Sequence, residues 1–188
     1  MPKWTIQDRK TLYNGSIFTA EHLSCRHPGK GIDHDFIVLN TPEWINVVAL
    51  TDDGRFIMVK QHRLGTDEYT LETPAGLAEP GEDPLEAAKR ELREETGYTA
   101  KNIALIKSLT ANPSFMNTVI HFYCATGCTR AGAQSLDPAE DIEVLLHTEA
   151  EIMDMLSTGT INHSIIVTAL SMYFLSSFHN GEVKPRFF

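Results

Sequence analysis

GLAEPGEDPLEAAKRELREETGY, residues 76–98, is the stretch in which the chain changes period. Leu85, Ala88 and Leu92 recur at helical spacing, so a helix over Asp83–Thr96 would turn one apolar stripe toward a core. Its ends are marked. Asp83 can cap the first turn with Glu86 three residues on, Pro84 suits the first helical position, and Gly97 offers a left-handed stop. Beside the stripe, Glu91, Glu94 and Glu95 fall three and four residues apart and emerge from one face. Two carboxylates about 5–6 Å apart repel by roughly 3 kcal/mol at an effective dielectric of 20. Partial burial of that face would therefore need a cation, and Mg²⁺ prefers carboxylate oxygens while keeping waters and phosphates as its other ligands. The plainer reading is a solvated helix with a Glu86–Arg90 ion pair across one turn.

Upstream, the chain reads as strands. Trp4–Tyr13, Ser16–Ser24 and Asp35–Asn40 are separated by Asn14-Gly15 and by HPGKG, both turn signals, and suggest a small antiparallel meander over residues 1–42. INVVALT and RFIMVKQHR follow, rich in β-branched residues and joined by Asp52-Asp53-Gly54. A strand near Glu68–Glu72 then leads into Thr73-Pro74-Ala75-Gly76. Downstream come strands near Ile103–Leu109 and Thr118–Ala125, the loop GCTRAGAQSLDPAED, and a short strand Glu143–His147. Thr148 with Glu151 reads as a capping box opening a helix, and a last helix is expected from about Asn162 to Phe178. Strands interleaved with helices imply an α/β fold for residues 43–188, a mixed sheet between helices.

Composition narrows the chemistry. A length of 188 residues with 42% hydrophobic content suffices for a buried core. The net charge of −9 argues against a nucleic-acid backbone as partner, because that binding needs a basic face. The apolar run Ile165–Leu175 is broken by polar residues and too short to span a bilayer, so no membrane association is expected. No apolar stretch follows the basic residues of MPKWTIQDRK, and the three cysteines form no CxxC pair. A cytoplasmic protein with reduced thiols is expected.

Gly76, Glu82, Arg90, Glu91, Leu92, Glu94, Glu95 and Gly97 stand in the order and spacing GX5EX7REUXEEXGU. Every fixed letter matches; only the final aliphatic position departs, as Tyr98. So many fixed positions in a loop-helix-loop that propensity independently supports make a specific match. The segment resembles the signature of the Nudix hydrolase superfamily. That resemblance implies an α/β/α sandwich and hydrolysis of a nucleoside diphosphate linked to another moiety, with Mg²⁺ or Mn²⁺ as cofactor. Carried over by position, Glu91, Glu95 and the Ala75 carbonyl look like metal ligands. Glu94 is a third ligand or water-holding group, and Arg90 with Glu82 orients the cluster. The loop before Val144 resembles the one that supplies a catalytic glutamate in ADP-ribose pyrophosphatases; Glu140 is the chosen base there, over Asp141 and Glu143.

The flanks resemble the ADP-ribose and nucleotide-sugar branch. VKQHR would place Arg63 on a phosphate, and ETPAG would place Glu72 at the substrate or in a structural role. Pro113 stands sixteen residues beyond Gly97, as in ADP-ribose pyrophosphatases, although Ser114 and Asn117 replace the glycine and acidic residue often seen there. In that branch the N-terminal meander forms homodimers and builds part of the neighbour's nucleotide pocket, so Trp44 and Phe36 become candidates to stack a base. The alternatives are a Nudix hydrolase of nucleoside triphosphates or dinucleoside polyphosphates, and a non-catalytic nucleotide-sensing Nudix module.

Overall fold

The computed structural model describes residues 1–179 and 182–185. By internal contacts the chain falls into two units, Met1–Glu43 with Thr110–Val119, and Trp44–Leu109 with Ile120–Phe188. In the first, β1 (Thr5–Asn14), β2 (Thr19–His27) and β3 (Ile32–Asn40) form an antiparallel sheet in that order. β2 starts three residues later than the sequence suggests, because Gly15 N–H donates to Phe18 O at 3.0 Å and closes a wider turn. β3 starts three residues earlier. The turn ahead of it is short, with Gly31 at φ 67° donating to His27 O at 2.8 Å. The loop 110–119 is stitched to β3, where Leu39 N–H donates to Phe115 O at 2.8 Å and Asn117 N–H to Leu39 O at 3.1 Å. Asn117 Oδ1 also accepts from Thr41 N–H.

The second unit is built on an eight-stranded sheet. Its path is β11 (Glu143–His147), β5 (Phe56–Arg63), β4 (Trp44–Thr51), β10 (Val119–Arg130) and β8 (Tyr98–Thr99). β6 (Glu68–Glu72) pairs with β5, β7 (Ala75–Leu77) with β4, and β9 (Asn102–Thr110) with β10. β4 and β10 run parallel and β4 and β5 antiparallel, so the sheet is mixed. The alternation of β4 divides the core into two layers. Ile45, Val47 and Ala49 pack with Ala87, Ala88 and Leu92 of α1 (Pro84–Thr96). Val48 and Leu50 pack with Ile152 of α2 (Glu149–Thr158) and with Ile166, Ala169 and Leu170 of α3 (Ser164–Phe174). Helices cover both faces, the α/β sandwich expected from the sequence. Leu92 is 1% exposed, so truncation to alanine would cost about 2–5 kcal/mol.

Three local expectations are revised. β10 runs to Arg130 instead of stopping near Ala125, because Gly127 at φ 65° accommodates a register shift and Thr129 and Arg130 then pair with β8. β7 and β8 are additional short strands. The last helix stops at Phe174 rather than running to Phe178. Ser176 Oγ donates to Met172 O at 2.8 Å, satisfying a terminal carbonyl, and the chain turns into β12 (Ser176–His179), paired with β13 (Glu182–Pro185). Among the described residues no helix is long and apolar enough to cross a membrane.

Candidate active site

α1 begins and ends as its sequence dictates. The Asp83 side chain accepts from Leu85 and Glu86 N–H, Pro84 occupies the first turn, and Gly97 closes the helix at φ 74°. The expected Glu86–Arg90 pair does not form. Glu86 takes Lys89 instead, at 2.7 Å, and Arg90 is drawn to a denser set of acceptors. Its Nε and Nη2 hold the two oxygens of Glu82 at 3.0 Å each, Nη2 also donates to Leu77 O at 3.0 Å, and Nη1 donates to Glu91 at 2.8 Å and Glu94 at 3.1 Å. One guanidinium thus ties β7 and the loop before the helix to two helix carboxylates, a fork that lysine could not reproduce.

The burial of α1 is unusual in chemistry. Glu91 is 8% exposed and Glu95 3%. Desolvation pushes the Glu91 carboxyl above its ordinary range, outweighing the attraction of Arg90. Glu95 is pushed up to about 8, again chiefly by burial, although Ala75 N–H donates to its Oε2 at 2.9 Å; the charges of Glu91 and Glu140 push the same way. Glu91 and Glu95 are therefore costly anions that an added cation would relieve. The Glu91 carboxylate can lie where it does only because residue 76 has no side chain: a Cβ there would collide with it.

As they stand, no three His, Cys, Asp or Glu side chains among the described residues form a ready-made metal cage. That arrangement still suits Mg²⁺, which is commonly held through one or two carboxylates plus substrate phosphates rather than by an all-protein cage.

Arg63, at the end of β5, donates through Nε and Nη2 to Glu72 of β6 at 2.7 and 2.6 Å. Register sets Glu68 opposite Arg63 and Val59 opposite Glu72, four positions along β5, so the two share a sheet face and the long Arg63 side chain reaches Glu72 along it. Glu72 is 1% exposed; burial alone would raise its carboxyl, but the bonds from Arg63 and from Thr70 Oγ1 at 2.5 Å hold it below the usual range. Arg63 also feels the charges of Glu95 and Glu140 and lines a cavity with Trp44, Thr70 and His163. Trp44 Nε1 is buried without a hydrogen-bond partner.

Glu140 is close enough to Glu91 and Glu95 to raise both, and its Oε2 accepts from Asp137 N–H at 2.9 Å. Glu143 lies 3.8 Å from Lys60. The structure thus gathers Arg63, Glu72, Ala75, Arg90, Glu91, Glu94, Glu95 and Glu140 within the larger unit. Phe36 and Pro113 belong to the N-terminal unit, where Phe36 packs edge-on against Trp4 and His34. Sequence reasoning did not single out Thr70 or Gln134. Thr70 shares a strand face with Glu72, a usable signal at a spacing of two. Gln134 lies in an aperiodic loop and carries none.

Comparison with known proteins is consistent across sequence and fold. The family model of the NUDIX domain matches residues 42–168. A methanol dehydrogenase activator from Bacillus methanolicus is 33% identical over 164 residues, 87% of this chain and 80% of that one. An ADP-ribose pyrophosphatase from Mycobacterium tuberculosis is 32% identical over 180 residues, 94% of this chain and 85% of its own. The crystal structure of an ADP compounds hydrolase superposes with a TM-score of 0.81 at 27% identity, covering 92% of each chain.

Proposed function

Because the chain belongs to the Nudix family, we propose that it hydrolyses the pyrophosphate of a nucleoside diphosphate sugar of the ADP-ribose kind, giving a nucleoside monophosphate and a sugar phosphate. One observation carries the reading: two buried, mutually repelling carboxylates, Glu91 and Glu95, share one face of α1, with the Glu91 carboxylate seated against Gly76 where any Cβ would collide. The names of two of the three relatives just described, an ADP-ribose pyrophosphatase and an ADP compounds hydrolase, point to the same substrate class. Glu91, Glu95 and the Ala75 carbonyl would hold Mg²⁺ or Mn²⁺, with Glu94 as a further ligand. When bound, such an ion neutralises charge on the phosphates and acidifies a water.

The residues of the chain divide the remaining work. Glu140 takes a proton from water as its oxygen bonds to phosphorus, and the bond from that phosphorus to the bridging oxygen breaks, releasing the other phosphate. Arg63 spends Nε and Nη2 on Glu72, which leaves its Nη1 edge to donate to a phosphate oxygen. Arg90 orients Glu91 and Glu94 rather than touching substrate. Trp44, which lines the cavity beside Arg63, offers its ring to the base.

Phe36 and Pro113 enter through a homodimer in which the meander of one copy completes the pocket of the other. Ile6, Leu12, Ile17, Ile32 and Ile37 of the N-terminal unit are exposed, a set of apolar side chains that suits such an interface. The free, buried cysteines suit a reducing compartment such as the cytoplasm.

Purified protein with Mg²⁺ or Mn²⁺ and a panel of nucleoside diphosphate sugars, triphosphates and dinucleoside polyphosphates tests the reading. Preferential cleavage of an ADP-sugar is the expected result. No turnover of any diphosphate sugar would overturn it, and sedimentation as a monomer would overturn the dimer.

A further inference from the structure

The segment Ala131–Ser135 lies along the C-terminal end of α1. Ala131 and Gly132 N–H both donate to Gly97 O, at 2.8 and 3.2 Å, and Ser135 N–H donates to Glu94 O at 2.9 Å. Within this segment Gln134 uses its side-chain nitrogen twice, donating to Glu95 O at 2.6 Å and to Ile142 O at 3.0 Å. A primary amide carries two N–H donors, so both are committed. The acceptors are telling: Glu95 belongs to the buried acidic face, and Ile142 closes the loop that carries Glu140. Ile142 is itself buried and leads directly into β11.

Glu140 is held mainly by its own turn. Its Oε2 accepts from Asp137 N–H and its N–H donates to Asp137 O, both at 2.9 Å, so residues 137–140 move together. What fixes that turn against α1 from its far side is the planar amide of Gln134. We propose that Gln134 is a positioning residue: a two-pronged clamp that sets the separation between the Glu140 carboxylate and those of Glu91 and Glu95. The proposal rests on Glu140 acting as the base, and acts through it. Gln134 touches two backbone carbonyls and needs no contact with substrate.

The test compares wild type, Gln134→Met, Glu140→Gln and the double variant on a nucleoside diphosphate sugar with Mg²⁺. Methionine keeps the length of the side chain and removes both donors. Loosening the base by about 1 Å is expected to lower kcat by tenfold to a hundredfold while KM stays within about twofold. If the clamp acts only through Glu140, the double variant falls no further than Glu140→Gln alone. Unchanged kcat in Gln134→Met, or losses that multiply in the double variant, overturn the clamp. Full activity in Glu140→Gln overturns the base and the clamp with it.

Hydrogen exchange gives a readout independent of turnover. Amides of residues 136–141 should lose protection in Gln134→Met while those of α1 keep theirs; equal protection in the loop would overturn the proposal. Should wild type cleave nothing in the panel, the hydrolase reading falls separately, and exchange still decides whether Gln134 holds the loop.

Discussion

Replacing Gly76 with alanine separates chemistry from folding more sharply than replacing any glutamate. A Cβ built on residue 76 would sit 2.5 Å from Glu91 Oε2 and closer still to the carboxyl carbon and Oε1. Ordinary carbon contacts start near 3.5 Å, so the nearest carboxylate atoms must retreat by about 1.4 Å. The backbone at Gly76 is not in the left-handed region, so alanine itself is not strained there. Alanine also stabilises slightly, by about 0.4–1 kcal/mol, by restricting the unfolded chain. Weakening the Glu91–Arg90 bond opposes this by about 1–3 kcal/mol, leaving a net loss of no more than about 2.6 kcal/mol. The kinetic effect is of similar size but is read separately, in turnover. A displacement of about 1 Å at a reacting group costs about a hundredfold in rate, or about 2.7 kcal/mol of barrier.

The assay is kcat on a nucleoside diphosphate sugar across a Mg²⁺ titration, with melting temperature measured in parallel. Gly65→Ala is the control, since a Cβ there meets nothing within 4 Å. Gly76→Ala should need more Mg²⁺ and turn over about a hundredfold more slowly while staying folded. Turnover within threefold of wild type at an unchanged Mg²⁺ requirement would refute the idea that residue 76 is kept bare to hold the Glu91 carboxylate in place for chemistry.

Arg90→Ala strips the shared partner from Glu82, Glu91 and Glu94; the expected loss is about 2–3 kcal/mol in urea unfolding plus a marked fall in kcat, and an unchanged midpoint would count against the fork. Glu95 supplies a pH dependence. Its folded carboxyl titrates near 8 against an ordinary 4.5, so between those values the native state holds a proton that the unfolded chain has lost. Metal-free stability therefore falls as pH rises from about 4.5 through 8, and Mg²⁺ should lift the melting temperature more at pH 8 than at pH 5. Glu95→Gln should flatten that slope, and the same slope in the variant would assign it elsewhere. Thr148→Ala, which breaks the α2 capping box, should cost about 1 kcal/mol in stability and leave kcat unaltered; a kcat change would tie α2 to the site.

What could be read in advance follows from how local each signal is. The 3.6-residue period and the caps of α1 are properties of adjacent residues, so that helix was legible almost to the residue. The last helix was not. Its apolar composition continues past Phe174, and Ser176 with the pairing of β12 and β13 ends it, a contact no period announces. The Arg90–Glu82 pairing carried over from the family motif forms, while the Glu86–Arg90 pair read from helix spacing does not, for a related reason. Spacing along the helix offers Glu86, whereas the loop and β7 offer Glu82 and the Leu77 carbonyl once the chain has folded back. Gln134 is the extreme case, because its meaning lies wholly in two carbonyls brought together by tertiary structure.

The face of α1 explains why the acidic residues are buried at all. Ala88, Glu91, Leu92 and Glu95 stand at i, i+3, i+4 and i+7, the positions of a single core-facing stripe, and all are buried. Whatever presses Ala88 and Leu92 into the sheet must carry the two carboxylates in with them. A sequence shaped for stability alone would place apolar side chains at both positions, and replacing buried charges in that way is often stabilising. The acidic groups at these positions, the fork of Arg90 that steadies Glu91, and the bare backbone of Gly76 that admits its carboxylate all disfavour the metal-free state or serve to keep it ordered. Each becomes favourable once a divalent cation is present, so the cost borne by the fold and the affinity of the site for metal are two expressions of one interaction.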